Sequence, residues 1–195
     1  FMFNKKTDHP RGSKKLIGAW ALYDWANSVY SLVISSAVFP IYYSQYIFAD
    51  TNSIILFNLE INKDTLISSV SGLSFLLIAF LSPLLSGIAD YIGNKKIFMK
   101  FFVYLGSFSC ISLYWFELET IEISLVFYVL GLIGFWGSLV YYNSYLTDIT
   151  YPKQTNKVSA RGYVMGYIGS VILLLVNLIM INYYESFGFS SEICA

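Results

Sequence analysis

Charge is scarce in this sequence. Asp, Glu, Lys and Arg make up only 12% of its 195 residues, whereas soluble domains carry about 25%. Hydrophobic residues make up 56%, so too few charges remain to cover a water-soluble surface of this size. The composition therefore excludes an ordinary soluble domain. The few basic residues sit in short groups at the ends of apolar stretches, which gives no reason to predict nucleic-acid binding.

Residues that carry catalysis or bind metals are also rare. The only histidine, His9, lies in a polar tail, and the spacing of the two cysteines, Cys110 and Cys194, suggests neither a disulfide framework nor a metal site. The sequence contains no G-x-S-x-G, no H-E-x-x-H and no phosphate-binding P-loop. We therefore predict no enzyme, no cofactor and no metal site, and we expect any transport to be driven by a gradient rather than by a nucleotide.

The basic residues that are present follow a pattern. Eleven of the twelve lie in three short clusters separated by long apolar stretches. The clusters are Lys5, Lys6, Arg11, Lys14 and Lys15; Lys95, Lys96 and Lys100; and Lys153, Lys157 and Arg161. Lys and Arg beside membrane spans are retained on the cytoplasmic side. The pattern predicts a multi-pass membrane protein with a cytoplasmic N-terminus.

Five apolar stretches are long enough to cross a bilayer, which requires about 20 residues for a core of about 30 Å. They lie at about 17–47, 65–91, 97–116, 121–147 and 160–183, and we call them spans one to five. Backbone groups in lipid must be paired internally, which favours helices. The predicted fold class is an all-α, polytopic membrane helical bundle at 16–184, with a cytoplasmic tail at 1–15, a polar outer loop at 48–64 and an outer tail at 185–195.

Small residues recur every four positions in three of the spans. The sets are Ser68 and Gly72, then Gly134 and Ser138, then Gly162, Gly166 and Ser170. Small residues at this spacing let helix backbones approach closely in lipid. We expect ordinary helix packing at each set.

Span one carries an acid and a row of polar residues. The row consists of Asp24, Asn27, Ser28, Ser31 and Ser35. Their spacing places them on one face of a helix, which should face a bundle interior or a water-filled cavity. An ionisable group inside a membrane is by default a functional-site hypothesis. The alternative is that Asp24 lies at the cytoplasmic interface beside Trp20 and Trp25, since span one is longer than a single crossing needs.

Two further acids, Asp90 and Asp148, end spans two and four on the predicted cytoplasmic side. The helix dipole disfavours a negative charge at a helix C-terminus, so each acid needs a compensating donor. Arg161 opens span five on the same side and is a candidate. The contacts could latch one conformation of a moving bundle, or they could be static helix-end ion pairs.

The segment 86–96, S-G-I-A-D-Y-I-G-N-K-K, resembles the loop-two signature of the major facilitator superfamily. It keeps Asp90, Gly93 and Lys95 of that signature. It departs from the signature at three places, where Ser86, Tyr91 and Asn94 replace the usual glycine and two usual basic residues. The departures weaken the basic part of the predicted latch.

Three further segments resemble the vacuole effluxer-like branch of that superfamily, which includes a fungal vacuolar amino-acid effluxer linked to autophagy. They are 20–28 running on to 39–42, then 142–149, and then 159–167. The resemblance extends from Trp20 to about Asn182. It implies a secondary transporter that moves a small solute, such as an amino acid, outward by alternating access across the bacterial cytoplasmic membrane.

The resemblance also implies roles for individual residues. Asp24, Asn27, Ser28, Ser31, Asn143 and Asn177 would line the cavity for the solute and for a coupling proton or other ion. Asp90, Gly93, Lys95, Asp148 and Arg161 would form a cytoplasmic gate.

The superfamily builds two six-helix halves, so we expect this chain to be an N-terminal half whose partners are the lipid bilayer and a missing C-terminal half. The alternatives are a degenerate remnant, a dimerising half-size unit and a non-transporting membrane scaffold or assembly subunit. A scaffold has no reason to align the polar residues of span one.

Overall fold

The computed structural model describes residues 10–56 and 58–189 of the chain. The sequence features at Lys5, Lys6, His9 and Cys194 lie outside the described residues. The first helical segment, residues 14–47, consists of α1 (Lys14–Val29), a π-helical stretch (Tyr30–Val38), α2 (Phe39–Tyr42) and a second π-helical stretch (Tyr43–Ile47). A β-hairpin follows, with strands β1 (Ser53–Leu56) and β2 (Leu59–Asn62).

Four long helices and two short turns complete the described chain. They are α3 (Lys63–Ile92), α4 (Lys95–Ser112) with a 3₁₀ turn at its end (Leu113–Trp115), α5 (Ile121–Ile149) and α6 (Thr155–Asn182), which is followed by another 3₁₀ turn (Tyr184–Phe187). The all-α, polytopic class predicted from the sequence is confirmed.

Within the described residues, four helices are long and apolar enough to cross a membrane: α3, α4 with its 3₁₀ turn, α5 and α6. The first helical segment is not among them, because the π-helical stretches divide it and α1 alone has 16 residues. Those 16 residues rise only about 24 Å. The fifth crossing therefore stays a prediction for the whole segment.

The chain divides into two compact units. Of the described residues, one unit holds 50–145, with the hairpin, α3, α4 and most of α5. The other holds 10–49 and 146–189, with the first helical segment, the end of α5 and α6. We call them the hairpin unit and the α1–α6 unit.

Aromatic packing holds the helices of the hairpin unit together. Ala89 of α3, Phe102 of α4 and Tyr141 of α5 form a buried cluster, in which the rings of Phe102 and Tyr141 stack at 5.9 Å between centroids. Beside it, α4 and α5 meet at two glycines. A methyl group added at Gly134 would lie 2.5 Å from the Cα and N atoms of Gly106. The predicted packing role of Gly134 is confirmed.

The small residues of α3 behave differently from the prediction. Ser68 and Gly72 are exposed, and a methyl group added at Gly72 would meet nothing within 4 Å. Among the described residues, the expectation of a close helix contact at Gly72 is wrong. The spacing of small residues permits a close approach but does not supply a neighbour.

The predicted outer loop contains structure that its polarity does not indicate. Strands β1 and β2 pair antiparallel, with Leu56 opposite Leu59. Asn58 takes φ 63° in the turn, a left-handed conformation that asparagine tolerates better than most residues. The hairpin leads directly into α3, where the Asn62 side chain accepts a hydrogen bond of 2.9 Å from the backbone N–H of Asp64.

The close approach at Gly134 yields a stability prediction. Replacing Gly134 with Ala forces backbone against backbone, and we expect a loss of about 1–3 kcal/mol, typical of overpacking. Gly72→Ala is the matched control, since it makes the same change in an exposed helix and gains helix propensity of up to about 1 kcal/mol. Thermal unfolding in detergent, followed by tryptophan fluorescence, should show a lower Tm for Gly134→Ala only. Equal Tm values would contradict the packing.

Candidate functional site

The α1–α6 unit is built on a close contact between the two helices. A methyl group added at Gly169 of α6 would lie 2.5 Å from the backbone oxygen of Trp25 in α1. One added at Gly166 would lie 2.5 Å from Ser28 Oγ and 3.3 Å from Asp24 Oδ2. Only residues without side chains allow these distances. The contact brings the acid of span one against α6.

Asp24 is buried, with 9% of its surface exposed. Its Oδ1 accepts a hydrogen bond of 3.2 Å from Ser28 Oγ, one helical turn later. A carboxylate removed from water is costly unless hydrogen bonds or charges compensate it. The serine at i+4 supplies one such bond from within the same helix.

A cleft opens beside Asp24, between the first helical segment and α6. Its volume is about 270 Å³. The lining residues are Ser28, Ser31, Leu32 and Ser36 of the first helical segment and Tyr163, Gly166, Tyr167 and Ser170 of α6. Four of the eight carry aliphatic hydroxyl groups and two carry phenol groups, although most of the surface that lines the cleft is apolar. We call this the serine cleft.

The π-helical stretch changes which serine reaches the cleft. The α-helical spacing in the sequence places Ser35 on the polar row, but Ser36 lines the serine cleft instead. In a π-helix the backbone bonds span five residues rather than four, so the next residue on the face after Ser31 comes one position later. Ser36 Oγ accordingly donates to the backbone oxygen of Ser31, five residues earlier, at 2.8 Å.

The three asparagines proposed for the cavity lie in different places. Asn27 is half-buried in α1, and its Nδ2 atom is buried with no hydrogen-bond acceptor among the described residues. Asn177 is half-buried in α6, seven residues beyond Ser170 and thus on the same helix face. Asn143 is exposed on α5 in the hairpin unit.

The residues proposed for the gate lie at helix ends. Lys95 Nζ is 3.3 Å from Asp90 Oδ1, so Lys95 supplies a donor for the acid at the end of α3. Gly93 ends α3 with φ 70°, a left-handed conformation that glycine adopts without strain. Asp148 is exposed in the last turn of α5, and Arg161 is exposed near the start of α6.

A further basic residue acts at the end of α5. The Arg11 guanidinium donates to the backbone oxygen of Thr147 and lies 6.0 Å from the centroid of the Tyr151 ring. The backbone N–H of Gly12 donates to the oxygen of Ile149 at 2.7 Å. Carbonyls in the last turn of a helix need such outside donors. No local sequence pattern indicates this contact, because its partners are 136 positions apart.

Comparison with known proteins adds the family. The family described as vacuole effluxer Atg22 like matches residues 12–193. The chain belongs to this family. It is also 39% identical over 163 residues to a protein of Bacillus subtilis (strain 168) described as an uncharacterized MFS-type transporter, YxiO. With its long apolar helices, this Atg22-like chain is an integral membrane protein.

The match to the Bacillus protein is uneven in coverage. It includes 84% of this chain but only 37% of the relative. The chain thus spans little more than a third of the length of the curated relative that it matches. No solved structure matches the chain.

The candidate site contains residues that the sequence did not single out for function. Ser36, Tyr163 and Tyr167 line the cleft, and Ser170 was expected only to pack. Tyr163 and Tyr167 stand four residues apart with Gly166 between them, a spacing that could have marked them as one face of α6. No sequence pattern marks Ser36, because its position depends on the π-helical stretch.

The two glycines of α6 should respond differently to substitution. Gly169→Ala presses a methyl group against the backbone of Trp25, and we expect the destabilisation of about 1–3 kcal/mol that overpacking causes. Gly166→Ala meets the Ser28 hydroxyl, which can rotate away, so it should cost less stability but break the Ser28–Asp24 hydrogen bond. Thermal unfolding in detergent should give a lower Tm for Gly169→Ala than for Gly166→Ala. The reverse order would contradict the geometry of the contact.

Proposed function

We propose that this chain supplies part of a secondary transporter in which the serine cleft, with Asp24 at its edge, binds a small polar solute during alternating access. The observation that carries the proposal is the buried Asp24 beside a hydroxyl-lined cleft in an otherwise apolar helix pair. Transporters of this kind bind solutes near the bilayer midplane between packed helices. The family membership supports the same class of activity.

The position of Asp24 along α1 supports an intramembrane role rather than an interfacial one. It lies ten residues after Lys14, which is about 15 Å along a helix. That is about half of a hydrocarbon core of about 30 Å. With Lys14 and Lys15 at the cytoplasmic interface, as the basic clusters predict, Asp24 would lie near the membrane centre.

The chemistry of the cleft limits what it can bind. Ser28, Ser31, Ser36 and Ser170 offer hydroxyl groups. Asn27, next to Ser28 in the sequence but outside the lining, has a buried amide N–H without an acceptor among the described residues. Asp24 adds a carboxylate that can attract a cationic group or carry a coupling proton. A zwitterionic solute such as an amino acid suits this set, and outward movement across the cytoplasmic membrane is the direction that the family resemblance favours.

The end of α3 suits a gate, because it lies beside the second basic cluster. The Asp90–Lys95 pair joins the end of α3 to the start of α4 across Gly93. The acid is 61% exposed and the lysine 22%, so the pair is weak and can break during a conformational change. In the α1–α6 unit, Asp148 and Arg161 are the further residues proposed for the gate.

A scaffold or assembly subunit accounts less well for the α1–α6 unit. Packing alone explains Gly166 and Gly169, but it does not require a buried carboxylate, which destabilises a membrane helix unless it is compensated. A scaffold would also have no use for a hydroxyl-lined cleft of about 270 Å³. These features favour a transporter.

The proposal is tested by neutralising the acid in the full-length gene product, reconstituted in vesicles loaded with a panel of labelled amino acids. We expect Asp24→Asn to slow efflux at least about tenfold, equivalent to about 1.4 kcal/mol. Asn27→Ala should also slow efflux. Asp50→Asn is the matched control, because the same change at an exposed loop residue should leave the rate within about twofold. Unchanged efflux rates for both Asp24→Asn and Asn27→Ala would contradict the proposed site.

The gate makes a separate prediction. Asp90→Asn removes an exposed ion pair whose strength is about 0.2–1 kcal/mol, so folding should be almost unaffected while the ratio of inward-open to outward-open states shifts up to about fivefold. Spin labels at the helix ends would report that ratio from their distance distributions. If the distribution and the transport rate both match wild type, the pair has no gating role.

A further inference from the structure

We propose that the first helical segment changes between π and α register around Ser35 and Ser36 during the transport cycle, so that Ser36 faces the serine cleft in one state and Ser35 in the other. The proposal rests on the proposed function for the link to transport. The two registers themselves follow from the structure and from the sequence.

The π register is the one observed. It runs from Tyr30 to Val38, and nine residues is long for an element that usually occurs as a single turn and often at functional sites. Ser36 lines the cleft in this register, while Ser35 is half-buried away from the lining. The bond from Ser36 Oγ to the Ser31 oxygen stabilises it.

The α register would exchange the two serines. Each residue of an α-helix turns the chain by about 100°. Ser35 would then stand about 40° from the direction of Ser31, and Ser36 would stand about 140° away. The cleft would lose the hydroxyl of Ser36 and gain that of Ser35. Because two serines are adjacent, both registers keep a hydroxyl at this point of the lining.

Pro40 brings the two registers closer in free energy. It stands four residues after Ser36, between the two π-helical stretches. In a regular α-helix the ring of a proline clashes with the carbonyl group four residues earlier, here that of Ser36. The wider turn of the π-helix relieves the clash, so the α register loses its usual advantage.

A register change at the serines would also move the outer part of the segment. Phe39 and Tyr43 are buried and stack on one another at 6.1 Å between centroids. The ring of Tyr43 in turn packs against that of Phe48, with 4.9 Å between centroids. If one π turn becomes α-helical, these aromatic residues rotate about the helix axis by the angle of one residue, about 100°. The serine cleft and the outer end of the segment are thereby coupled, as alternating access requires.

The first test is a deletion in the full-length gene product. Deleting Ser36 leaves the same sequence as deleting Ser35, and the remaining serine falls on the α-helical row. We expect this variant to fold, with a Tm close to wild type, and to be held in the α register, so that amino-acid efflux falls at least tenfold. Deletion of Ala26 in the regular helix α1 is the control. It should destabilise the protein, because α1 has no extra residue to lose.

The second test reads the register without a transport assay. Ser35→Cys and Ser36→Cys are placed singly in a background without other cysteines, and the labelling rate with a water-soluble methanethiosulfonate is measured in resting vesicles and in vesicles with a proton gradient. We expect opposite changes, with one position becoming more reactive as the other becomes less reactive.

The outcomes separate the two proposals. Opposite labelling changes support the register change even if no amino acid is moved, in which case the proposed function fails alone. The register change is overturned if both rates stay constant or change in the same direction. It is also overturned if the Ser36 deletion unfolds like the Ala26 deletion or transports at the wild-type rate.

Discussion

The close approach of α1 and α6 at Gly166 and Gly169 is the constraint on which the candidate site depends. Lipid tails are as apolar as leucine, so helices in a membrane associate through close packing and hydrogen bonds rather than through hydrophobic exclusion from water. The backbone oxygen of Trp25 leaves no room for a side chain at Gly169. Without this contact Asp24 would face lipid, and the serine cleft would have only one wall.

Polar groups in this pair of helices are satisfied mainly by their own helix. Ser31 and Ser36 donate to backbone oxygens three and five residues earlier, and Ser28 donates to Asp24. Such local bonds make serine tolerable inside an apolar helix. The Asn27 amide is different, since its buried Nδ2 lacks an acceptor among the described residues.

Much of the helical architecture follows from sequence pattern. The spans predicted at 65–91 and 121–147 lie within α3 and α5, and the span predicted at 160–183 ends one residue beyond α6. The agreement arises because a bilayer demands long apolar runs and the basic clusters mark their ends. The polar row on span one was also visible, since Asp24 and Ser28 fall at α-helical spacing in α1 and Ser31 lies only two residues beyond its end.

The features that could not be predicted depend on which helix lies next to a residue, or on local backbone conformation. Gly72 and Gly134 look alike in sequence, yet only Gly134 has a neighbouring backbone against it. The strands β1 and β2 are four residues each, too short for their alternation to stand out from a loop. The π-helical stretch places Ser36 rather than Ser35 at the cleft, and the α-helical spacing of the sequence gives no sign of it.

The central claim is that the serine cleft is a water-reached cavity within the membrane. The most direct measurement is the reactivity of single cysteines at Ser31, Ser170 and Leu175 toward a water-soluble thiol reagent in the full-length protein. Leu175 is the reference, as an exposed apolar residue of α6. The account predicts fast labelling at positions 31 and 170 and slow labelling at position 175. Equally slow labelling at all three positions would contradict it.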